Sequence, residues 1–423
     1  MDRQIAPRFA DKYILKKGLS AFFKDYNSSL KLDVIVVIPC KNESHLFLTL
    51  ESILQAKTLA NVLVISVINH SEADNLEIKN QNQNTLKQSE SFISTKTNIE
   101  FVFVKAFDIP KKLAGVGYAR KIGLDNAVNI FNKQNNSEGI IASLDADSTI
   151  KQNYFDEIIS YYKKNPKQEA CSIYFEHCTD KNKHSQNNID AISWYELYLR
   201  YYLHALRFIG YTNFYHTVGS SFALKAWAYV KYGGMNQKQA GEDFYFLQMI
   251  IPNKKFGEIN TTAIYPSPRE SNRVPFGTGP AVLDYISNNK NKIETYTLKS
   301  FFDLGEFFKI DNKFFRISEP NYLELINRLP KSVKGFLIEN KFYDVLTVIN
   351  KNSTNERTFL NAFYIWFSAF RILKFLNFAH ENIYTRTTVL DSAIELLLLM
   401  DKEITNTDIY TILDVYRKME KEF

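Results

Sequence analysis

Cysteine and long apolar runs are both scarce in this sequence of 423 residues. Its 3 cysteines, Cys40, Cys171 and Cys178, are too few and too scattered for a disulfide framework, which predicts a cytoplasmic protein. No apolar run reaches the roughly 18 residues that a membrane span needs. The stretch before Leu30 also lacks the apolar core and the small-residue cleavage site of a secretory signal.

An excess of one charge sign is equally slight. Lys and Arg number 52 against 46 Asp and Glu, and the net charge of +6 is spread along the chain. No basic block of the kind that binds nucleic acid is present, so we expect no nucleic-acid partner. The small excess is compatible with an anionic substrate, or with peripheral association at the inner face of a membrane.

Three common catalytic motifs are missing. The chain has no Gly-x-x-x-x-Gly-Lys phosphate loop, and the residues from Gly219 to Phe222 break the Gly-x-Ser-x-Gly pattern of serine hydrolases. Gly115 and Gly117 could begin a dinucleotide fingerprint, but Arg120 occupies the position of its third glycine. ATP-driven chemistry, serine hydrolysis and hydride transfer are therefore disfavoured.

What the sequence does contain is a regular alternation of strand and helix patterns. Apolar or β-branched runs predict strands at 34–38, 62–68, 99–104, 140–144, 171–175, 218–224 and 259–265. Helical periodicity follows most of them, which predicts an α/β fold with a mostly parallel, doubly wound sheet flanked by helices. The polar stretch 79–98 is predicted to be a flexible insertion. We divide the chain into a lead-in (1–30), a main domain (31–288) and an all-helical C-terminal region (289–423).

Two carboxylates stand one residue apart at the end of a predicted buried strand, in Leu144-Asp145-Ala146-Asp147-Ser148. Parallel strands deliver such groups to the edge of the sheet where ligands bind. Carboxylates this close repel each other unless a divalent cation lies between them and an anionic ligand, which indicates a metal-bound diphosphate. The alternative is that Asp145 and Asp147 are turn residues, with Asp147 or Ser148 capping the helix predicted near Asn153.

A second acidic pair, Glu242-Asp243, follows Gly241 at a predicted helix start. Asp243 is a candidate general base, with Glu242 assisting it or holding acceptor hydroxyls, and helix capping is the alternative. Arg269 and Arg273 lie in a proline-containing loop, and their guanidinium groups suit bidentate binding of phosphate oxygens. The alternative for that loop is a solvated surface segment.

Four segments, taken together and in their order along the chain, resemble the family 2 glycosyltransferases of the GT-A fold, which use nucleotide sugars. They are Val-Val-Ile-Pro-Cys-Lys-Asn-Glu at the first strand, Val-Gly-Tyr-Ala-Arg-Lys-Ile-Gly opening a helix, Leu-Asp-Ala-Asp-Ser, and Gly-Gly-Met before Ala-Gly-Glu-Asp. The resemblance covers about residues 31–285. It implies a GT-A type fold and a hexosyltransferase that moves a sugar from a nucleoside diphosphate donor to an acceptor hydroxyl with inversion.

The resemblance also implies roles for residues. Donor-binding residues would be Pro39, Lys41, Asn42, Glu43, Arg120 and Asp145. The chemistry of their side chains adds Arg269, Arg273 and Asn69 to this set. Asp147, together with Asp145, would bind Mn²⁺ or Mg²⁺, and Asp243 takes the position of the family's base. The acceptor would be a carbohydrate or a lipid-linked glycan. As its contacts we select Ser220 and the aromatic helix that carries Trp194, Tyr195, Tyr198 and Tyr202. Core packing is the alternative for most residues of that helix.

One segment departs from the family's pattern. Its second strand commonly ends in an acidic pair that binds the nucleotide base, where this chain has Asn69-His70. An amide can still donate to and accept from a base edge. A retaining transferase on the same fold and a non-catalytic nucleotide- or glycan-binding module are the alternatives that the sequence leaves open.

Overall fold

The computed structural model describes residues 7–18, 22, 25–211, 213–237, 241–273 and 277–422. The strands are β1 (Val34–Cys40), β2 (Val62–Ser71), β3 (Ile99–Ile109), β4 (Ile140–Ser143), β5 (Thr149–Ile150), β6 (Ala170–Phe175), β7 (Phe222–Lys225), β8 (Phe256–Tyr265), β9 (Glu294–Thr295) and β10 (Thr387–Thr388). The helices of the first part are α1 (Asp11–Lys17), α2 (Leu46–Leu54), α3 (Leu76–Glu90), α4 (Val116–Lys133), α5 (Tyr154–Lys164), α6 (Gln186–Phe208), α7 (Ala226–Lys231), α8 (Glu242–Leu247) and α9 (Thr278–Ser287). Those that follow are α10 (Leu298–Phe308), α11 (Glu319–Asn327), α12 (Lys331–Glu339), α13 (Phe342–Lys351), α14 (Glu356–Trp366), α15 (Ala369–Asn382), α16 (Val389–Leu399) and α17 (Ile409–Lys421).

Within the described residues, the first eight strands form one sheet in the order β3-β2-β1-β4-β7-β6-β8-β5. Strands β3, β2, β1 and β4 run parallel, as the continuous apolar runs predict. Strand β7 is antiparallel to both of its neighbours, and β5 is antiparallel to β8 at the edge. The prediction of a mostly parallel sheet flanked by helices is therefore confirmed, with an antiparallel strand in its middle.

Both faces of the sheet are covered at its centre, which explains why β1 is apolar and buried at every position. Alternate residues of β1 belong to two different cores: Ile35 and Val37 pack beneath α4, while Val34 and Val36 pack on the opposite face. Gly123 allows α4 to lie close to β1, because a Cβ atom there would come 2.3 Å from Cγ1 of Val37. Packing on both faces holds β1 and its neighbours in place, and the candidate site lies at the edge where these strands end.

The prediction of a flexible insertion at 79–98 is wrong for its first half, which belongs to helix α3. The side chain of Asn75 accepts a hydrogen bond from the backbone N–H of Ile78 at 3.0 Å and caps the helix. The polar composition of α3 gives no apolar periodicity in the sequence, because most of its Gln, Asn and Lys side chains face solvent. Asn82 is the exception, since it is buried and donates to the carbonyl of Asn69 at 2.7 Å.

The predicted strand at 218–224 begins later than expected, at Phe222. Residues before it form a turn in which the N–H of Ser221 donates to the carbonyl of Val218 at 2.9 Å. The turn brings Gly219 against Arg120 and Asp243, so the apolar run is interrupted where the chain approaches charged groups.

The region after residue 290 is helical apart from the two-residue antiparallel pair of β9 and β10. Its aromatic core is shared with helix α6, since Leu197, Tyr201 and Ala205 pack in the same cluster as Phe301, Phe363 and Tyr416. Helices α16 and α17 both contact α6. The boundary at residues 288 and 289 stays a prediction.

Two further features concern the ends of the chain and its helices. The aromatic residues of the lead-in are available to pack on the main domain, and Tyr13 of α1 does so, whereas Phe23 lies outside the described residues. No single helix in the described ranges has both the length and the apolar character of a membrane span. Helices α14 and α15, which meet at a bend of 59°, reach that length and composition only as a pair.

Candidate active site

A cavity of about 680 Å³ lies where the parallel strands β1, β2 and β4 end, which is the edge at which open α/β sheets bind ligands. Most of the side chains predicted for the site line it. They are Pro39, Lys41, Glu43, Asn69, Arg120, Asp145, Asp147, Ser220, Glu242, Asp243, Arg269 and Arg273. Folding thus gathers residues from several distant stretches around one space.

Asp145 and Asp147 occupy a turn that follows β4 directly. The N–H of Leu144 still pairs with the carbonyl of Val37 at 3.0 Å, and the N–H of Ser148 then donates to the carbonyl of Asp145 at 3.1 Å. The side chains of Asp145 and Asp147 are 40% and 20% exposed within the cavity. The helix near Asn153 begins without a side-chain cap, so neither Asp147 nor Ser148 serves as its cap.

Arg120 lies at the centre of a buried charge network. Its guanidinium donates to Asp145 at 2.7 Å and to the hydroxyl of Ser143 at 3.0 Å, and it forms a further ion pair with Glu242. Burial alone would lower the pKa of Arg120, but the negative charges of Glu242 and Asp145 outweigh burial and raise it. Arg120 therefore carries a permanent charge that is already divided between two carboxylates.

Glu242 and Asp243 differ in environment although they are neighbours. Glu242 is only 1% exposed and paired with Arg120, so its carboxylate is engaged in holding that guanidinium. Asp243 is half-buried in the cavity wall, and its side chain accepts a hydrogen bond from the N–H of Phe244 at 2.7 Å. Burial, followed by the negative charge of Glu242, raises the pKa of Asp243 to about 6. Such a carboxylate is suited to accept a proton near neutral pH.

Arg269 and Arg273 face the acidic turn from the opposite side. Arg269 donates to Asp147 at 3.0 Å and also pairs with Glu43, while Arg273 donates to Glu43 at 3.0 Å. Nε of Arg269 is buried and has no hydrogen-bond partner among the described residues. A buried donor without a partner is unfavourable in a folded protein, so this atom is available to an anionic ligand such as a phosphate.

Asn69 and His70, which replace the acidic pair common in the family that the sequence resembles, lie at the edge of the cavity. Asn69 lines the cavity, whereas His70 stacks on Phe107 with ring centroids 4.1 Å apart. Burial lowers the pKa of His70, which favours the neutral ring. Nearby, Lys41 donates to Asp74 at 2.8 Å, so a carboxylate is present four residues after His70.

Two predicted contacts lie away from the cavity. Among the described lining residues, neither Asn42 nor Trp194 is found. Asn42 instead uses its backbone N–H to bond the side chain of Asn82 at 2.8 Å, with a left-handed φ of 50°. Trp194 packs beside Val282, because its position on α6 directs it away from the face that Tyr195 and Tyr198 present to the cavity.

Sequence reasoning missed the residues of the second wall of the cavity. Phe175 ends β6 and His177 follows it, residues 214–219 precede β7, and Ala369 and Leu373 come from α15. Tyr195, Tyr198 and Tyr202 belong to the helix that the sequence predicts for acceptor contact, and all three line the cavity. Their role in binding an acceptor stays a prediction. Nothing local marks the others, because their neighbours in the cavity are far away in sequence.

Whether these residues suit a divalent cation depends on the acidic turn. In the part of the chain that the structure describes, no group of three or more His, Cys, Asp or Glu could hold a metal ion. Mg²⁺ and Mn²⁺, however, commonly take one or two carboxylates and complete their coordination with substrate phosphates and water. Asp145 and Asp147 both face the cavity and therefore fit a cation that binds together with a phosphate.

Comparison with known proteins gives only distant structural similarities. No family model matches the chain, and no curated protein does either. The crystal structure of S. aureus TarS 1–349 in complex with UDP-GlcNAc aligns at 12% identity over 92% of this chain and 91% of that chain, with a TM-score of 0.39. TarS 1–349 alone aligns with the same identity and coverage and a TM-score of 0.37. TarS itself aligns at 13% identity over 82% of this chain and 55% of that chain, also at 0.37. At this level of similarity, the assignment of the site rests on its own residues.

Proposed function

We propose that this protein is a metal-dependent glycosyltransferase of the GT-A type, which moves a sugar from a nucleoside diphosphate sugar to an acceptor hydroxyl. One observation carries the proposal. A single cavity contains a carboxylate with a pKa of about 6, a pair of carboxylates on a turn, and guanidinium groups that face this turn. These are the groups needed to accept a proton and to neutralise a departing diphosphate. A cytoplasmic location remains a prediction from the sequence.

The arginines are suited to bind the diphosphate. Arg269 and Arg273 now share Glu43 and Asp147 as partners, and Nε of Arg269 is unpaired among the described residues. A diphosphate would accept bidentate hydrogen bonds from both guanidinium groups. The N-terminus of the long helix α4, at Gly115 and Val116, also lines the cavity and favours negative charge.

Asp147, assisted by Asp145, would hold the divalent cation, Mn²⁺ or Mg²⁺. When bound, such a cation withdraws negative charge from the diphosphate and improves it as a leaving group. Arg120 keeps Asp145 in place from behind, through their hydrogen bond of 2.7 Å. Asn69 and Lys41, at the ends of the neighbouring strands, are then closest to the nucleoside.

Asp243 would act as the general base. As the acceptor oxygen forms its bond to the anomeric carbon, the bond from that carbon to the diphosphate oxygen breaks and the acceptor proton moves to Asp243. Attack from the face opposite the diphosphate inverts the anomeric configuration. Glu242 is engaged with Arg120, so we assign it a positioning role and no proton transfer.

The first experiment is a thermal-shift screen of nucleotide sugars, each with and without Mn²⁺, followed by hydrolysis and transfer assays with those that bind. A donor that binds the native state raises the melting temperature by mass action. We expect one donor to give a larger shift with Mn²⁺ and to be turned over. Binding without turnover of any donor would favour the non-catalytic module. A retained anomeric configuration, together with full activity of Asp243→Asn, would favour the retaining transferase.

A further inference from the structure

One wall of the cavity is mainly aromatic, and we call it the aromatic wall. It consists of Phe175, Tyr195, Tyr198, Tyr202, Phe214 and Tyr215. The three tyrosines of α6 recur at helical spacing, so they share one face of the helix. Their rings form a row, with centroids 6.3 Å apart between Tyr195 and Tyr198 and 6.4 Å apart between Tyr198 and Tyr202. Flat apolar faces with hydroxyl tips suit the ring of a sugar, which has apolar C–H faces and polar edges.

This wall has no counterpart to the arginines of the donor end. Every Lys and Arg among the described lining residues, namely Lys41, Arg120, Arg269 and Arg273, belongs to the carboxylate network or its margin. Arg200 lies behind Phe175, but its side chain is fully buried and paired with Glu196 and Glu420. An anionic group bound at the aromatic wall would therefore lose water without gaining a counter-ion.

His177 supplies a polar atom beside the aromatic wall. Its Nδ1 lies 2.8 Å from Glu196, a carboxylate that also accepts hydrogen bonds from Arg200 and Arg417. An ionised carboxylate only accepts, so Nδ1 carries a proton, and in the neutral ring Nε2 is then an acceptor. The ring lines the cavity, yet Nε2 is buried and has no partner among the described residues. A hydroxyl of a bound ligand would satisfy it.

The aromatic wall is continuous with the base. The segment 214–220 lines the cavity along its whole length, from Phe214 in the wall to Gly219 and Ser220. A Cβ atom at Gly219 would come 2.9 Å from Oδ2 of Asp243, so this backbone lies directly against the carboxylate. The segment therefore connects the aromatic wall at Phe214 with the carboxylate of Asp243.

We propose that the aromatic wall and Nε2 of His177 bind the acceptor, and that this acceptor is an uncharged saccharide. The inference rests on the proposed function for the role of the saccharide as an acceptor. Binding of a sugar to this wall can be measured without any donor. The inference names the substrate class, which the donor end of the site leaves open.

The test compares matched pairs of glycosides that differ only in a carboxylate. p-Nitrophenyl β-glucoside and β-galactoside are compared with the corresponding glucuronide and galacturonide, by saturation-transfer NMR on the full chain without donor. We expect saturation transfer from aromatic protons of the protein to the sugar-ring protons of at least one uncharged glycoside. The transfer signal of its acidic partner should be at least fivefold smaller.

Three variants connect the binding to the wall. Tyr198→Ala and His177→Phe are expected to reduce the effect at least fivefold, whereas His177→Gln should retain part of it, because a Gln amide oxygen can replace Nε2 as an acceptor. Tyr410→Ala, an exposed tyrosine on α17, is the matched control and should bind as the wild type does. Thermal melting verifies that each variant is folded, and donor hydrolysis is measured in parallel.

The outcomes separate the two proposals. Equal signals for the two members of a pair, no signal from any uncharged glycoside, or unchanged binding by both Tyr198→Ala and His177→Phe would overturn the inference. If the wild type hydrolyses no donor but binds glycosides selectively, the proposed function is overturned and this inference stands.

Discussion

Asp243 combines partial burial with a negatively charged neighbour, and its pKa is raised to about 6 as a result. The base must be ionised to accept a proton. We therefore expect kcat/KM to fall about tenfold for each pH unit below 6 and to be level above it. An ordinary carboxyl, with a pKa near 4, would leave the rate unchanged across this range. Transfer or hydrolysis rates between pH 4.5 and 8.5 measure the profile.

Substitution of this residue separates catalysis from stability. Asp243→Asn should lower the rate by about 10²–10⁴. Because the folded-state pKa lies above the ordinary value, folding disfavours the ionised form, and the variant should melt at the same or a higher temperature at pH 8. Asp284→Asn, an exposed carboxyl paired with Lys290, is the control and should leave the rate unchanged. A pH-independent rate in the wild type would contradict the assignment of Asp243 as the base.

Arg120 contributes to folding as well as to the site. Arg120→Met would leave Glu242 buried without its partner, and removal of one member of a buried pair lowers the free energy of unfolding by about 3–5 kcal/mol. Urea denaturation at pH 7.5 measures the change. Lys418→Met, in the exposed pair with Asp414, should have no measurable effect. Equal stability of the two variants would show that the Arg120 network is solvated.

The segment 214–220 connects the aromatic wall to the base, and Gly219 is its point of closest approach. In Gly219→Ala the new Cβ atom would lie 2.7 Å from Nη2 of Arg120 and 2.9 Å from Oδ2 of Asp243. Both contacts are ends of side chains that can move, so we expect the protein to fold. The displaced carboxylate should lower turnover at least tenfold, because a shift of about 1 Å at a catalytic group is sufficient.

A matched glycine tests whether this loss is specific to the site. In Gly257→Ala the Cβ atom would come 2.1 Å from the hydroxyl of Tyr161, which is also the end of a side chain but lies outside the cavity lining. This variant should show a similar change in melting temperature and unaltered turnover. If both variants lose activity equally, the effect of Gly219→Ala is a general one on stability.

Helix α6 holds the chain together, because it closes the aromatic wall on one face and packs into the C-terminal core on another. Deletion of residues 289–423 would expose Leu197, Tyr201 and Leu206, which are at most 1% exposed in the full chain. We expect residues 1–288 alone to be insoluble or to lack a cooperative melting transition. Solubility and calorimetry measure this.

The control for that deletion supplies the missing core in trans. Co-expression of residues 289–423 with residues 1–288 should restore part of the soluble protein, because the same apolar surfaces can pair again. The full chain should melt in one transition. A folded, soluble protein from residues 1–288 alone would support the predicted boundary as a boundary between independent domains.

The predicted core of the first half and the donor end of the site came from local patterns. Continuous β-branched runs such as Val34 to Ile38 have few alternatives to a buried strand, and the carboxylates after β4 follow such a run by one residue. Helix α3 was missed because its polar side chains conceal its period, and the buried Asn82 that holds two loops has no local signal.

Sequence neighbours thus predicted that Asp145, Asp147 and Asp243 lie in one cavity, whereas their chemical roles stay predictions. The pKa of Asp243, the engagement of Glu242 by Arg120 and the unpaired Nε2 of His177 arise from contacts between residues far apart in the chain. Burial and long-range pairing set the strength of charges, and neither exists before the chain has folded. For that reason the sequence alone predicted which residues gather at the cavity. The charge state and the hydrogen-bond partners of each residue depend on the tertiary structure.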